Sequence, residues 1–167
     1  MSLTARITAE LSARLTGAAD FGAPTSAPRF AQQITLTDGT GAGQADRVWA
    51  DRRTLAASAS EDLDLAGALM DVFGATVTLA RVKALYVAAS AANTNDVVIG
   101  AAAANAWSAL LGESGTVTVR PGGLLLVVAP DATAYPVTGD TGDLLRVANG
   151  AGGSSVTYDI CVIGASA

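Results

Sequence analysis

Thr116-Val117-Thr118-Val119, then Arg120-Pro121-Gly122-Gly123, then Leu124 to Ala129: this stretch decides the fold. Two β-branched or aliphatic runs flank a Pro-Gly turn, and each is too short for a helix, so they read as paired strands. The pattern continues through Tyr135-Pro136-Val137, Leu144-Leu145-Arg146-Val147, the Gly-rich turn Asn149 to Gly153, and Val156 to Ile163. Gly150 to Gly153 lies between strands instead of opening a helix, so it reads as a hairpin loop and not a phosphate cradle.

Working backwards, the same spacing recurs. Ile34-Thr35-Leu36-Thr37 precedes the turn Asp38-Gly39-Thr40-Gly41, and Arg47-Val48-Trp49-Ala50 and Arg53-Thr54-Leu55-Ala56 follow. Asp62-Leu63-Asp64-Leu65 alternates charge with leucine, as a strand does with one wet and one packed face. Thr76 to Val87 alternates through Val77 and Leu79 but loses the period at Val82, Leu85 and Tyr86, which predicts a bulge or two strands. Leu69 to Gly74 reads as a single helical turn, Asn93 to Asp96 as a turn before Val97-Val98-Ile99-Gly100, and Ala101 to Leu111 as a short helix or a loop. No helical pattern is long enough for a βαβ crossover, and there is no internal repeat. The expectation is an all-β, antiparallel β-sandwich of jelly-roll-like type over residues 34–167.

Residues 1–33 are expected to be an N-terminal arm. Ile7, Ala9, Leu11, Ala13 and Leu15 alternate with polar residues, which favours a strand, although Leu3, Ile7, Leu11 and Leu15 also fit a helical spacing. Asp20 to Pro28 carries Gly22, Pro24 and Pro28 and reads as an extended linker reaching a neighbour.

Composition limits the chemistry. The 167 residues fit one ordinary domain, half of them apolar but only 5% aromatic, so the core is aliphatic. There is no histidine, and Cys161 is a lone cysteine in an apolar run, which removes Ser-His-Asp and Cys-His catalysis, imidazole metal ligation and an intrachain disulfide. Glu61, Asp62 and Asp64 form the densest acidic cluster, and carboxylates on the wet face of a strand are usually just solvated. Asp38 to Gly41 and Asp140 to Asp143 offer oxygen ligands but lack EF-hand spacing, and turns demand Asp and Gly in any case. No catalytic residue, metal or cofactor is expected. Nine arginines and one lysine, without a longer run than Arg52-Arg53, argue against nucleic acid. No stretch approaches the roughly 20 apolar residues of a membrane span or the apolar segment of a signal peptide, so a protein made in the cytoplasm is expected. Charged residues make up 15% of the chain, well below the roughly 25% of ordinary soluble domains, which fits either surface buried against partner subunits or a compositional bias toward Ala and Gly. Trp49, Trp107 and Tyr135 are the candidate contact residues, as platforms for a sugar, although such aromatics are more often core or interface anchors.

Ala45 to Trp49, Ala57 to Gly67, Phe73 to Leu85 and Asn93 to Gly100, with Gly142 to Asn149 and Ser155 to Ile160, together resemble a family of small proteins in the structural gene modules of tailed bacteriophages and phage-like gene transfer agents. The resemblance covers most of residues 34 to 164 and carries no catalytic motif. It implies a virion protein on the capsid exterior, a head decoration protein or the base of a head spike. The partners implied are further copies of the chain and the major capsid protein or other virion proteins. A tail component is the alternative; tail-tube proteins also form rings of β domains but typically line the tube with a long β-hairpin, which the sequence does not display. A further alternative is an adsorption module that binds a host surface glycan.

Overall fold

The structure, a computed structural model, describes residues 2–167, and among them there is no helix. The body is built from β5 (Gln44–Ala45), β6 (Arg47–Leu55), β7 (Ser60–Asp64), β8 (Leu69–Met70), β9 (Thr76–Val77), β10 (Arg81–Ala89), β11 (Val97–Gly100), β12 (Thr116–Val119), β13 (Leu124–Val128), β14 (Tyr135–Pro136), β15 (Leu144–Asn149) and β16 (Val156–Ala165). One sheet runs β13-β10-β16-β6, with β14 also on β10, and the other runs β12-β11-β15-β7. Every pairing within them is antiparallel.

Reading the two orders side by side puts β6 with β7, β16 with β15, β10 with β11 and β13 with β12. Strands adjacent in the chain thus hold equivalent positions in opposite sheets, which is the arrangement of an eight-stranded jelly roll. The alternation expected for a sandwich supplies the core. Val156, Tyr158, Ile160 and Val162 of β16 are buried while the residues between them are not. Leu145 and Val147 of β15 and Leu63 of β7 face them in one continuous cluster with Leu85, Val87, Val97 and Ile99. The broken period after Val82 is a β-bulge in β10 against β16, between Val82 and Ala84.

The extra residue at that bulge is Lys83, whose side chain is fully buried. Its ammonium donates to the carbonyls of Gly41, at 3.1 Å, and of Asp131. Burial first, and then the neighbouring Arg81, push its pKa below the ordinary lysine value, with Asp131 opposing.

One local expectation is corrected, and one left open between helix and loop is decided. Leu69 to Gly74 is not a helical turn but the start of the β8–β9 hairpin, because the Asp71 carboxylate accepts from the amides of Phe73 and Ala75 and closes a turn instead. Ala101 to Leu111 is a loop, with Ala101 and Asn105 at positive φ.

The N-terminal region also differs from an arm followed by an extended linker. Residues Ala5–Asp38 fold back on themselves as one long hairpin: β1 (Ala5–Ser12) pairs with β4 (Arg29–Asp38), and β2 (Leu15–Thr16) with β3 (Thr25–Ser26). The boundary expected between residues 33 and 34 falls inside β4. Asp20 and Phe21 form the tip, with Ala19 and Gly22 exchanging backbone hydrogen bonds and Gly22 at φ +119°. The two prolines are tolerated because they serve as acceptors. Ala13 donates to the Pro28 carbonyl and Gly17 to that of Pro24, so the missing N–H groups are not called upon. The hairpin joins the body through a short parallel pairing of β4 with β5.

Candidate interaction surfaces

The register of β1 on β4 sorts the hairpin side chains onto two faces. One carries Ala5 opposite Leu36, Ile7 opposite Ile34, Ala9 opposite Gln32 and Leu11 opposite Phe30; the other carries Arg6, Thr8 and Glu10. The first face is thus a largely apolar stripe, interrupted by Gln32. Its root is covered, with Leu36 buried and Ile7 and Ile34 half-buried, whereas every residue from Thr8 to Gln33 is exposed. From Thr8 to the tip the leg would span up to about 40 Å at ~3.3 Å per residue. Leu15 is 73% exposed and Phe30 68%. Burying such side chains contributes about 1.5–3 kcal/mol each, so the fold of this chain alone leaves that stabilisation unused.

A second apolar surface is the outer face of the five-stranded sheet. Antiparallel sheets that face water usually turn polar residues outward. Here the outward row across β13, β10, β16 and β6 reads Leu126, Tyr86, Cys161, Ala50, and the next row reads Val128, Ala84, Ile163, Val48. A third row, Leu124, Ala88, Asp159, Arg52, brings in charge at one corner only, where Arg52 Nε and Asp159 Oδ1 are 2.6 Å apart. Hydrogen bonding to Arg52 holds the Asp159 carboxyl below its usual pKa. Burial raises that of the Cys161 thiol.

A third surface is the tip of the β8–β9 hairpin. Asp71 fixes the turn, and Val72 and Phe73 project from it, Phe73 at 75% exposure.

The sequence-selected aromatics lie elsewhere. Trp49 and Trp107 are each only 6% exposed. Trp49 sits on the inner face of β6 beneath Arg53, whose guanidinium carbon is 5.8 Å from the ring centroid. Trp107 donates its indole N–H to the Pro136 carbonyl at 2.8 Å and meets the half-buried Tyr135 edge to face at 6.2 Å. Neither tryptophan has a free face for a sugar, and Trp107 and Tyr135 pack on each other as part of the core margin. Of the readings open to them, the core one holds for both tryptophans, and Tyr135 packs against that core.

The acidic residues are similarly absorbed. Glu61 accepts from the buried Tyr158 hydroxyl at 2.6 Å and lies 2.9 Å from Arg53 Nε, a charge contact and not a directed hydrogen bond. This trio ties β16 and β6 of one sheet to β7 of the other, and burial together with Glu61 drives the Tyr158 pKa far above the usual tyrosine value. Asp64 accepts from the Ala66 amide, Asp38 from that of Leu3, and Asp143 from that of Asp140. Among the described residues no three acidic or cysteine side chains gather as a metal would require.

Sequence reasoning missed a polar lock at one end of the sandwich. Asn93 and Thr157 exchange side-chain and backbone hydrogen bonds, at 2.9 and 2.8 Å. The buried Asn149 donates to the carbonyls of Ala56 and Ser154 and accepts from Asn95. The Asn93-Thr94-Asn95 turn was the visible signal, but its partners are more than 50 residues away in sequence.

Fold and surfaces together define an all-β jelly-roll sandwich carrying a projecting β-hairpin and a partly exposed apolar sheet face. No family model, curated protein or solved structure matches the chain.

Proposed function

We propose that the chain is a non-enzymatic structural subunit of a phage-like particle, acting through contacts with its neighbours. The observation that carries this reading is the hairpin stripe, which is largely apolar yet covered by its own body only at the root. A solvated hairpin has no need of Leu11, Leu15 and Phe30 in water, while a subunit inserted among others does. The head exterior is the first placement, as a decoration protein or head-spike base, in keeping with the resemblance of residues 34 to 164 and with the use of jelly rolls in capsid proteins, a fold-level analogy. Many copies on a lattice would add modest contacts through avidity.

The hairpin also favours a second reading, a tail component, since a long hairpin is the element that lines tail tubes. The glycan-binding alternative is weakened by burial of both tryptophans.

The test is incorporation. Replacing Thr8–Gln33 by a two-residue turn should leave a folded monomer that no longer joins particles when supplied in place of the full chain. Normal incorporation of the shortened protein would refute the reading.

A further inference from the structure

The distal hairpin stripe and the outer face of the five-stranded sheet are two apolar surfaces of one chain, and neither is fully covered within it: Thr8 to Gln33 are exposed, as are Val48, Ala50, Tyr86 and Leu124, while Leu126, Cys161 and Ile163 are half-buried and Ala84 is buried. We propose that they meet between copies, the hairpin of one subunit lying with its Leu11–Phe30 face across the Leu126, Tyr86, Cys161, Ala50 row of the next. This rests on the assembly reading above and names the contact that would realise it.

Shape supports the match. Alanines 50, 84 and 88 keep the sheet face low between Val48, Tyr86 and Leu124, which leaves a shallow bed for a two-stranded ribbon. Four strands at ~4.8 Å spacing make the bed roughly 15–20 Å wide, within the hairpin's reach of up to about 40 Å. Charge supports it too. Residues 1–33 contain Arg6, Arg14 and Arg29 against Glu10 and Asp20, a net charge of +1, and the whole chain is at −5, so residues 34–167 stand at −6. Hairpin and body attract, whereas two bodies repel, so hairpin-on-body contact is preferred over body-on-body.

The contact is heterologous: each copy gives a hairpin and receives one. Such contacts close into a ring or run on as a filament, and do not stop at a dimer. Five residues on each of four strands project to on the order of 300 Å², below the ~800 Å² per partner of a standard stable interface. A single contact is therefore weak, and closure, in which every copy makes two, supplies the stability.

Cys161 makes the contact testable, because it lies in the middle row of the bed and is the chain's only cysteine. Gln32→Cys places a second thiol on the hairpin's apolar face beside Phe30 without removing an anchor. Treated with a short bismaleimide in solution, the full-length Gln32→Cys protein should give a ladder extending beyond dimers. Adding Cys161→Ser should abolish the ladder, and so should Leu11→Ser with Phe30→Thr, a cross-strand pair of exposed positions changed without introducing charge, with the melting temperature expected to stay within a few degrees. If sedimentation shows an oligomer but only dimers form, or Cys161→Ser makes no difference, the contact is wrong while the assembly reading stands. A monomer at the highest attainable concentration would overturn the contact and count against assembly as well.

Discussion

At the residue scale, three buried groups hold the sandwich in ways that side-chain type alone does not reveal. Tyr158 reaches across to Glu61, so Tyr158→Phe leaves a charged acceptor short of its donor and should cost about 1–3 kcal/mol in chemical denaturation. Gly164 lies where the β10 bulge brings backbone close: a Cβ there would fall 2.3 Å from the Arg81 carbonyl oxygen. Gly164→Ala should therefore destabilise by about 1–3 kcal/mol, the usual penalty of overpacking, measurable as a lower urea midpoint. Lys83 gives a pH signature. Its pKa is lowered in the folded protein, so the unfolded chain binds more protons and stability must rise with pH between the folded value and the ordinary 10.5. Urea midpoints across the alkaline range should rise for the natural protein relative to Lys83→Met, and parallel curves would show that the lysine carries no such linkage. None of these roles was legible beforehand. Lys83 was visible only as a break in the period of Thr76 to Val87, and the partners of Tyr158 and Asn149 lie far away in sequence.

At the element scale, legibility followed burial. β15 throughout and β16 from Val156 to Ile163 alternate buried and half-buried residues, so their period was plain in the sequence, and the bulge in β10 was announced by its lapse. The hairpin was half-seen. Alternation from Ile7 to Leu15 marked its first leg, but Arg29 to Gln33 are all exposed, so no packed face imposes a period on the returning strand. Pro24 and Pro28 then suggested a linker where the chain uses them as acceptors. Hairpin excision between Thr8 and Gln33 removes only exposed residues, and the body should keep its melting temperature to within a few degrees. A large drop would mean that the hairpin stabilises its own body. Deleting residues 1–28 instead would strand β4 without β1 and is expected to cause aggregation through the freed edge, seen as loss of soluble protein.

At the scale of the whole molecule, the sandwich is a rigid mount for surfaces that it does not itself cover. The jelly-roll order packs one face of each sheet into a single core, while the outer face of the five-stranded sheet is apolar and partly exposed and the distal hairpin stripe is exposed. Low charge, which composition alone could not assign to either interface or bias, falls on these surfaces: across three outward rows of that sheet, Arg52 and Asp159 are the only charged residues. The candidate aromatics stayed open between two roles because tryptophan is as good a core filler as an anchor, whereas Leu11, Phe30 and Phe73, ordinary residues in sequence, are the ones left in water. The central claim is that this chain is a subunit built to be held by neighbours. Electron microscopy of intact particles tests it most directly. Repeated copies of the jelly roll should appear on the particle, each with residues 8–33 packed against another subunit; particles in which the chain is absent, or present with its hairpin free in solvent, would refute the assembly role.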